Sequence, residues 1–316
     1  MEHYEDLADI KRVIVHTNVF QVDVSCFGSQ SIDSSADTFL QWLVNYFSRL
    51  TTEQSMACMQ EMLRINIRQN LQVVIQIATK YSDILGPVKL IEMFESFKTF
   101  EGLYYYLGSI VNLSQDPEVH FKYIQAATRT GQIREVERIC RESNHYNPEK
   151  VKNFLKEAKL SDQLPLIIVC DRFDFVHDLV LYLYQNGLTN FIEVYVQRVN
   201  SVRTPQVIGG LLDVDCDETT IKSLLASVPG NFAIDELVHE VEVRNRLKLI
   251  LPWLEARVQA GSQDPAVFNA LAKIYIDSNN NPETFLKENN VLSFLQFSIL
   301  YVCSSIVNRC SSTSLW

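Results

Sequence analysis

The sequence predicts an all-α protein, an α-solenoid of stacked antiparallel helix hairpins with a period of about 30 residues. Three observations carry this prediction. Helix-start signals recur at a nearly constant step, polar breaks recur at a similar step between them, and the segments between breaks carry apolar residues at helical spacing. Strand signals are weak, because no stretch alternates between apolar and polar residues for long.

The helix starts form the first series. Asp116-Pro117, Asn147-Pro148 and Asp264-Pro265 each place a capping side chain before a proline, which suits the first turn of a helix. The series then advances in steps of 26 to 31 residues. Its weaker members are Asp174, Pro205 and Asp235.

Polar breaks form a second series between the starts, with steps of 26 to 30 residues. Two interleaved series with one period describe a helix–turn–helix unit, and such a period is typical of solenoids. A single hairpin of this length cannot bury its own apolar face, so stacking on neighbours in chain order is expected to give a long rod. The breaks are Gly102, Gly131, Ser161, Gly187, Asp217 and Asn245.

The segments between breaks read as helices. Glu149–Lys159 has one apolar stripe at i, i+3, i+4 and i+7, whereas Phe175–Tyr184 is apolar nearly all round, as expected for an inner helix covered on two sides. Leu166–Cys170 could pass for a strand, but its place in the series predicts a helix. Thr51 and Gln54 form a candidate capping box, so the array is expected to begin near residue 40. Further upstream helices are predicted at Met56–Ile65, Gln69–Tyr81, Val88–Phe97 and Leu103–Asn112.

Length and charge argue against a single compact core and against nucleic-acid binding. The chain has 316 residues, 47% of them hydrophobic, which is long for one compact core. Its net charge is −10, with 28 basic and 38 acidic side chains, and the basic residues are dispersed. An acidic chain repels phosphate backbones, so we expect no nucleic-acid partner.

Cysteine usage points to the cytosol. The seven cysteines are widely spaced and include no CxxC pair, so they predict neither a disulfide framework nor a zinc site. Reduced core thiols are the simpler interpretation, above all for Cys140 and Cys170, which lie in apolar helical patterns. The acidic N-terminus has no apolar segment typical of a signal peptide.

Two acidic clusters are the strongest candidates for chemistry. Asp213, Asp215 and Asp217 have the spacing that opens a calcium loop, but the glycine and the closing glutamate are missing, which favours a capping turn. A second cluster, Asp174, His177 and Asp178, could ligate a metal or exchange protons, yet acids at a helix start also complement the helix dipole.

The remaining sequence features do not indicate a chemical activity. The common nucleophile, metalloprotease and phosphate-loop motifs are absent from the sequence. Gly209-Gly210 indicates a turn or a tight helix contact, and Tyr104, Tyr105 and Tyr106 indicate core and inter-repeat packing. We therefore predict no enzyme, and no catalytic, cofactor-binding or metal-binding residues.

Four segments are expected along the chain: an N-terminal helix of the array at residues 1–17, an irregular inserted loop at 18–40, the solenoid at 41–289 and an atypical apolar tail at 290–316. Asn289–Asn308 carries no charge and is a weak candidate for a membrane span. The alternative is an atypical terminus that packs as one more capping helix.

Long blocks of low degeneracy carry a family resemblance. The blocks are Ile65–Gln72, Ser114–Ala127, Thr130–Asn144, Val151–Tyr184, Val207–Cys216, Arg244–Arg257 and Asn269–Leu286. In these blocks the chain resembles the clathrin heavy-chain family, over most of Trp42–Asn289 and more weakly over Glu2–His16. The resemblance implies a distal leg segment, without the family's N-terminal β-propeller, trimerisation hub and light-chain-binding proximal leg.

The resemblance also implies a function. The chain is expected to be a structural component of the clathrin coat, which supports lattice assembly in endocytosis and intracellular protein transport. Its partners would be other heavy-chain legs, with peripheral membrane association through the coat and no light chain bound by this segment. The implied location is the cytoplasmic face of coated pits and vesicles. Two alternatives stay open: a helical-repeat subunit of a tethering or sorting complex, and a metal-dependent hydrolase that uses the acidic clusters.

Overall fold

The structure is a computed structural model that describes residues 41, 43–228 and 230–278. Every regular element among these residues is a helix, and none of them forms a strand. They divide into two compact units, the first ending at Pro165 and the second beginning at Leu166. The predicted all-α class is therefore confirmed, while the segments predicted at 1–17, 18–40 and 290–316 lie outside the described residues.

The first unit consists of short helices separated by capped turns. The capping box is confirmed, because the Gln54 amide donates to Thr51 Oγ1 at 3.3 Å and the Thr51 amide donates to Gln54 Oε1 at 3.0 Å. Asp116 and Asn147 cap their helices as predicted, through bonds from the amides of Glu118 and Lys150. The helices are α1 (Thr52–Ile65), α2 (Ile67–Lys80), α3 (Ser82–Leu85), α4 (Pro87–Ser96), α5 (Phe100–Ile110), α6 (Pro117–Arg129), α7 (Ile133–Glu142) and α8 (Pro148–Ala158).

Helices of the first unit pack in chain order. Helix α2 contacts α1 and α5, α5 contacts α4 and α6, and α6 contacts α7 and α8. The apolar stripes meet in a continuous core, in which each fully buried large side chain contributes about 1.5–3 kcal/mol. Core residues exposed by 2% or less include Leu63, Ile77, Phe94, Leu107 and Ile124.

The second unit repeats this plan. Helix α9, predicted where the sequence could pass for a strand, is confirmed. A five-residue π-helix (Tyr195–Val199) and 3₁₀ turns at Ser201–Arg203 and Leu247–Ile250 interrupt the series. The helices are α9 (Leu164–Arg172), α10 (Val176–Gln185), α11 (Thr189–Val194), α12 (Thr204–Asp213), α13 (Glu218–Ser227), α14 (Ile234–Val243), α15 (Leu251–Gln259) and α16 (Pro265–Ser278).

One row of helices forms the spine of the second unit. Helix α10 contacts α12, α12 contacts α14, and α14 contacts α16. A second row lies beside it, in which α11 contacts α10, α13 contacts α15, and α15 contacts α16. Because each helix in the spine meets the one about 30 residues further along, this unit is a solenoid of hairpins.

Many helices end in the same turn. A residue with positive φ is followed by an amide that donates to the carbonyl five residues earlier, which is the Schellman motif. At Gly131, where φ is 74°, the Gln132 amide donates to Ala127 O at 2.8 Å. The same arrangement recurs after α12 and α14. Its positive-φ residues are Lys98, Gly131, Asp174, Gly187, Asp215, Asn245 and Gly261.

Three of the six predicted breaks coincide with these turns, Asp217 lies two residues after the turn at Asp215, and Ser161 lies in the connection between α8 and α9. Gly131, Gly187 and Asn245 are confirmed, but Gly102 is wrong as a break because it lies inside α5, and the turn between α4 and α5 is at Lys98 instead. A Cβ at Gly102 would lie 2.7 Å from Leu71 Cδ1 and 2.9 Å from Phe94 Cε1. This glycine therefore permits close packing and does not form a turn.

Three start signals were displaced by one or two residues. Helices α10, α12 and α14 begin at Val176, Thr204 and Ile234, and Asp174 lies in the turn that follows α9. The predicted core position of the thiols is confirmed for Cys58, Cys140, Cys170 and Cys216, which are buried, while Cys26, Cys303 and Cys310 lie outside the described residues. Within the part of the chain that the structure describes, no helix has the length and apolar character needed to cross a bilayer. The candidate membrane span predicted at 289–308 lies outside the described residues.

Candidate functional surface

Ion pairs of lysine and arginine side chains join several successive hairpins of the described residues, and in each of these pairs the acid precedes the base. In the first unit Lys122 Nζ lies 2.6 Å from Glu95 Oε1, and Lys150 Nζ lies 2.7 Å from Glu118 Oε2. In both pairs the acid precedes the base, by 27 and 32 residues. The base of one hairpin thus binds the acid of the hairpin before it.

The second unit has the same pattern. The base follows the acid by 28 to 31 residues. The side chains of the pairs Glu218–Arg246 and Glu242–Lys273 are about half exposed, so each of these two pairs contributes only about 0–1 kcal/mol. They orient the stacked hairpins more than they stabilise them. The pairs are Asp174–Arg203 at 2.8 Å, Asp213–Arg244 at 2.6 Å, Glu218–Arg246 at 3.4 Å and Glu242–Lys273 at 2.9 Å.

The D-x-D-x-D cluster is divided among three different roles. Asp213 pairs with Arg244, Asp215 has a left-handed backbone with φ of 51°, and Asp217 caps α13 through the Thr220 amide. Hydrogen bonds from the Thr219 hydroxyl and then from Thr220 lower the pKa of Asp217 to about 2. The capping turn that the sequence favoured is therefore the one observed at Asp217.

The second acidic cluster is also divided. Asp174 lies in a left-handed turn and binds Arg203, and Asp178 lies in the first turn of α10. His177 is 61% exposed and its Nε2 lies 3.3 Å from Asp213 Oδ2. The position of Asp178 agrees with the helix-start interpretation, whereas Asp174 acts between hairpins. Among the described residues no group of three or more His, Cys, Asp or Glu side chains is placed to hold a metal ion.

The three tyrosines separate in the structure. Tyr106 is fully buried and shares a 2.8 Å hydrogen bond with Ser82, and Tyr104 stacks on Tyr123 of α6 at 5.5 Å between ring centroids. Tyr105 is 53% exposed, so the prediction of core packing is wrong for this residue. Consecutive residues on a helix point about 100° apart, so three successive tyrosines cannot all face the same side.

Buried polar contacts were missed by the sequence analysis. His120 is 3% exposed and is held at both ring nitrogens, with Nε2 2.8 Å from Ser114 O and Nδ1 3.0 Å from Ser143 Oγ. In the second unit, the buried Tyr195 donates to Asp171 Oδ1 at 2.7 Å. Burial and this bond to a carboxylate both raise the pKa of Tyr195. Polar residues inside amphipathic helices give no periodic signal, so only the structure identifies these contacts.

An open groove of about 420 Å³ lies between α1 and α4 of the first unit. It carries two carboxylates, one ammonium group and two methionine side chains, which is a mixed lining without a dominant charge. Some apolar side chains are exposed, among them Leu113, Ile84 and Val88, as is normal for a protein surface. The groove is lined by Thr52, Glu53, Met56 and Gln60 of α1 and by Lys89, Glu92, Met93 and Ser96 of α4.

Comparison with known proteins gives a consistent result. A family model described as "Region in Clathrin and VPS" matches residues 78–219 and 226–303. The match thus continues past residue 289, and the predicted boundary there stays untested.

Several curated proteins are similar over nearly the whole chain. Human "Clathrin heavy chain 2" is 60% identical over 98% of this chain and 17% of its own length. Drosophila melanogaster "Clathrin heavy chain" is 63% identical over 92% of this chain, and Schizosaccharomyces pombe "Probable clathrin heavy chain" is 62% identical over 92%. The chain spans 16% of the length of each of the last two.

Proposed function

Because this chain belongs to the clathrin heavy-chain family, we propose that it is a structural segment of a clathrin coat, which supports lattice assembly in endocytosis and intracellular transport. The observation that carries this proposal is identity of 60–63% to clathrin heavy chains over 92–98% of the chain. The stacked hairpins of both units supply what a scaffold needs: a surface repeated along the chain, built from local contacts.

The mechanism we propose is multivalent. Exposed faces of successive hairpins make many weak, mainly polar contacts with other heavy-chain legs, and the sum over a lattice is stable but reversible. No residue is proposed as catalytic, and none is proposed to bind a cofactor or a metal. The proposed location is the cytoplasmic face of coated pits and vesicles, with membrane association through the coat.

A chimeric heavy chain tests this function. Residues 41–278 of this chain replace the matching segment of the Drosophila relative, and assembly of the purified chimera into cages is followed by sedimentation and electron microscopy. We expect cages in the yield given by the unaltered relative. The matched control carries Leu179→Pro, which should break the buried helix α10 and prevent assembly. A helical, trimeric chimera that fails to form cages would contradict the proposal.

The alternatives make different predictions. A tethering or sorting subunit would bind one protein partner tightly as a monomer, but the similarity to clathrin heavy chains does not favour this role. A metal-dependent hydrolase would retain stoichiometric metal after purification, which elemental analysis detects. Scattering from the purified chain should show an elongated monomer, and a compact globule would argue against the leg segment.

A further inference from the structure

Helix α12 approaches its two neighbours in the spine unusually closely. A Cβ on Gly210 would lie 3.2 Å from both Cβ and Cγ1 of Val180 on α10, which is tighter than ordinary van der Waals contact. Cβ of Val180 is fixed to its backbone, so it can give way only if the two helices move apart. Gly210 therefore sets the distance between α10 and α12.

The preceding glycine faces the other neighbour. A Cβ on Gly209 would lie 2.2 Å from Glu240 Oε2 and 3.1 Å from Arg244 Nη1. These two side chains are bound to each other, because Arg244 Nη1 donates to Glu240 Oε2 at 2.6 Å and to Glu240 O at 2.9 Å. Gly209 thus leaves the space in which the charged end of α14 rests against α12.

Asp213, one turn further along α12, contacts both neighbours with one carboxylate. Arg244 donates to it twice, from Nε to Oδ1 at 2.6 Å and from Nη2 to Oδ2 at 2.7 Å. On the other side His177 Nε2 of the preceding hairpin lies 3.3 Å from Oδ2. A bidentate arginine–carboxylate pair fixes geometry as well as distance.

This junction is more sheltered than the next one along the spine. The side chains of Arg244 and Asp213 are 23% and 36% exposed, whereas those of Lys273 and Glu242 are 51% and 44% exposed. Hydrogen bonds from Arg244 lower the pKa of Asp213, with a smaller contribution from the charge of His177. The carboxylate is therefore held in its charged form at the contact of three hairpins.

We propose that Gly209, Gly210 and Asp213 form a joint through which the hairpins of α10, α12 and α14 open and close as one cooperative block. The glycines bring the helices into contact, and the carboxylate locks the contact from both sides. Proteins open in cooperative units that commonly follow supersecondary structure, and the joint defines such a unit here. The joint follows from packing alone and does not depend on the proposed coat function.

Hydrogen exchange followed by mass spectrometry on the whole chain tests the joint. Asp213→Asn removes the charge that binds Arg244 and His177, and hydrogen bonds to charged groups are worth enough for about tenfold faster exchange. We expect that increase in α10, α12 and α14 together. Two matched controls should change exchange by less than about twofold in α10 and α12. They are Asp215→Asn, two residues away, and Glu242→Gln, which breaks the exposed pair with Lys273.

A second variant tests the steric part of the joint. Gly210→Ala should accelerate exchange in α10 and α12, and adding Val180→Ala should reverse part of the effect because Cγ1 of Val180 is removed. Val180→Ala alone leaves a small cavity and should accelerate exchange. Slower exchange in the double variant than in Gly210→Ala would therefore indicate relief of the steric contact between residues 210 and 180.

Two results would overturn the proposal. The first is acceleration by Asp213→Asn in α14 alone, with α10 unchanged, because Asp213 would then serve only one neighbour. The second is uniform acceleration that includes α1 to α6 of the other unit, because it would reflect a general loss of stability. If Gly210→Ala loses its helical signal altogether, Asp213→Asn alone decides between these outcomes.

Discussion

The turn that ends helix α6 can be tested by replacing Gly131 with alanine. Gly131 has φ of 74°, in the left-handed region, and no atom lies within 4 Å of the position that a Cβ would take. The substitution therefore causes no clash, and its whole effect comes from backbone conformation. An L residue in this conformation costs roughly 1–2 kcal/mol.

Part of that cost is offset in the unfolded chain. Alanine restricts the unfolded backbone more than glycine does, which returns about 0.5–1 kcal/mol. The expected net destabilisation from Gly131→Ala is therefore about 0.5–1 kcal/mol. Because Lys98 occupies the same position in the preceding turn with φ of 54°, Lys98→Gly should stabilise the first unit by a similar amount.

Urea denaturation monitored by circular dichroism measures both changes. Both turns belong to the first unit, so they should report on the same transition. For an m-value of about 2 kcal/mol/M the midpoint should move by roughly 0.3–0.5 M, downward for Gly131→Ala and upward for Lys98→Gly. An unchanged midpoint for the first variant, or a lower midpoint for the second, would refute the argument from the positive-φ turn.

Two further predictions concern one helix and one carboxylate. Gly102→Ala should lower stability by about 1–3 kcal/mol, because its Cβ would clash with two core side chains. Gly108→Ala, in the same helix but 3.5 Å from its nearest neighbour atom, should raise stability by about 0.5–1 kcal/mol; equal effects in urea denaturation would contradict this account. Carbon-detected NMR titration should give Asp217 a pKa of about 2, since the Thr219 and Thr220 side chains and the Thr220 amide donate to it. The stability it contributes is present above the unfolded pKa and is lost as the pH falls through 2, and a measured value near 4 would contradict the capping geometry.

Local chemistry explains which parts of the fold the sequence predicted. A cap needs only a side chain and an amide two or three residues away, so the starts at Asp116, Asn147 and Asp264 were correct to the residue. A left-handed turn is readable when glycine or asparagine occupies it. At Lys98 a long cationic side chain occupies it, and the sequence analysis therefore placed the break at the nearest glycine instead.

Contacts between hairpins could not be read in the same way. The partner of Asp213 is 31 residues further along, and its identity depends on how the helices rotate when they stack. Gly209 and Gly210 predicted a turn or a tight helix contact, but the sequence did not tell which neighbour each glycine faces. The tyrosine cluster shows the same limit, since helical spacing alone did not tell that Tyr105 would face away from the core.

The direction of the lysine and arginine ion pairs favours one stacking order of the hairpins. The lysine and arginine pairs place an acid of the earlier hairpin against a base of the later one, as at Glu118–Lys150 and Glu242–Lys273, whereas His177 and Asp213 face each other in the opposite order. Two copies of a hairpin that met through the same face would set acid against acid, because a two-fold contact pairs identical surfaces. Each misplaced pair exchanges an attraction of about 0–1 kcal/mol for a repulsion of similar size. One junction alone would discriminate poorly between the correct stacking and a misplaced one. The preference adds up over successive junctions. Weak surface pairs can therefore specify the register of the stacked hairpins while contributing little to their stability.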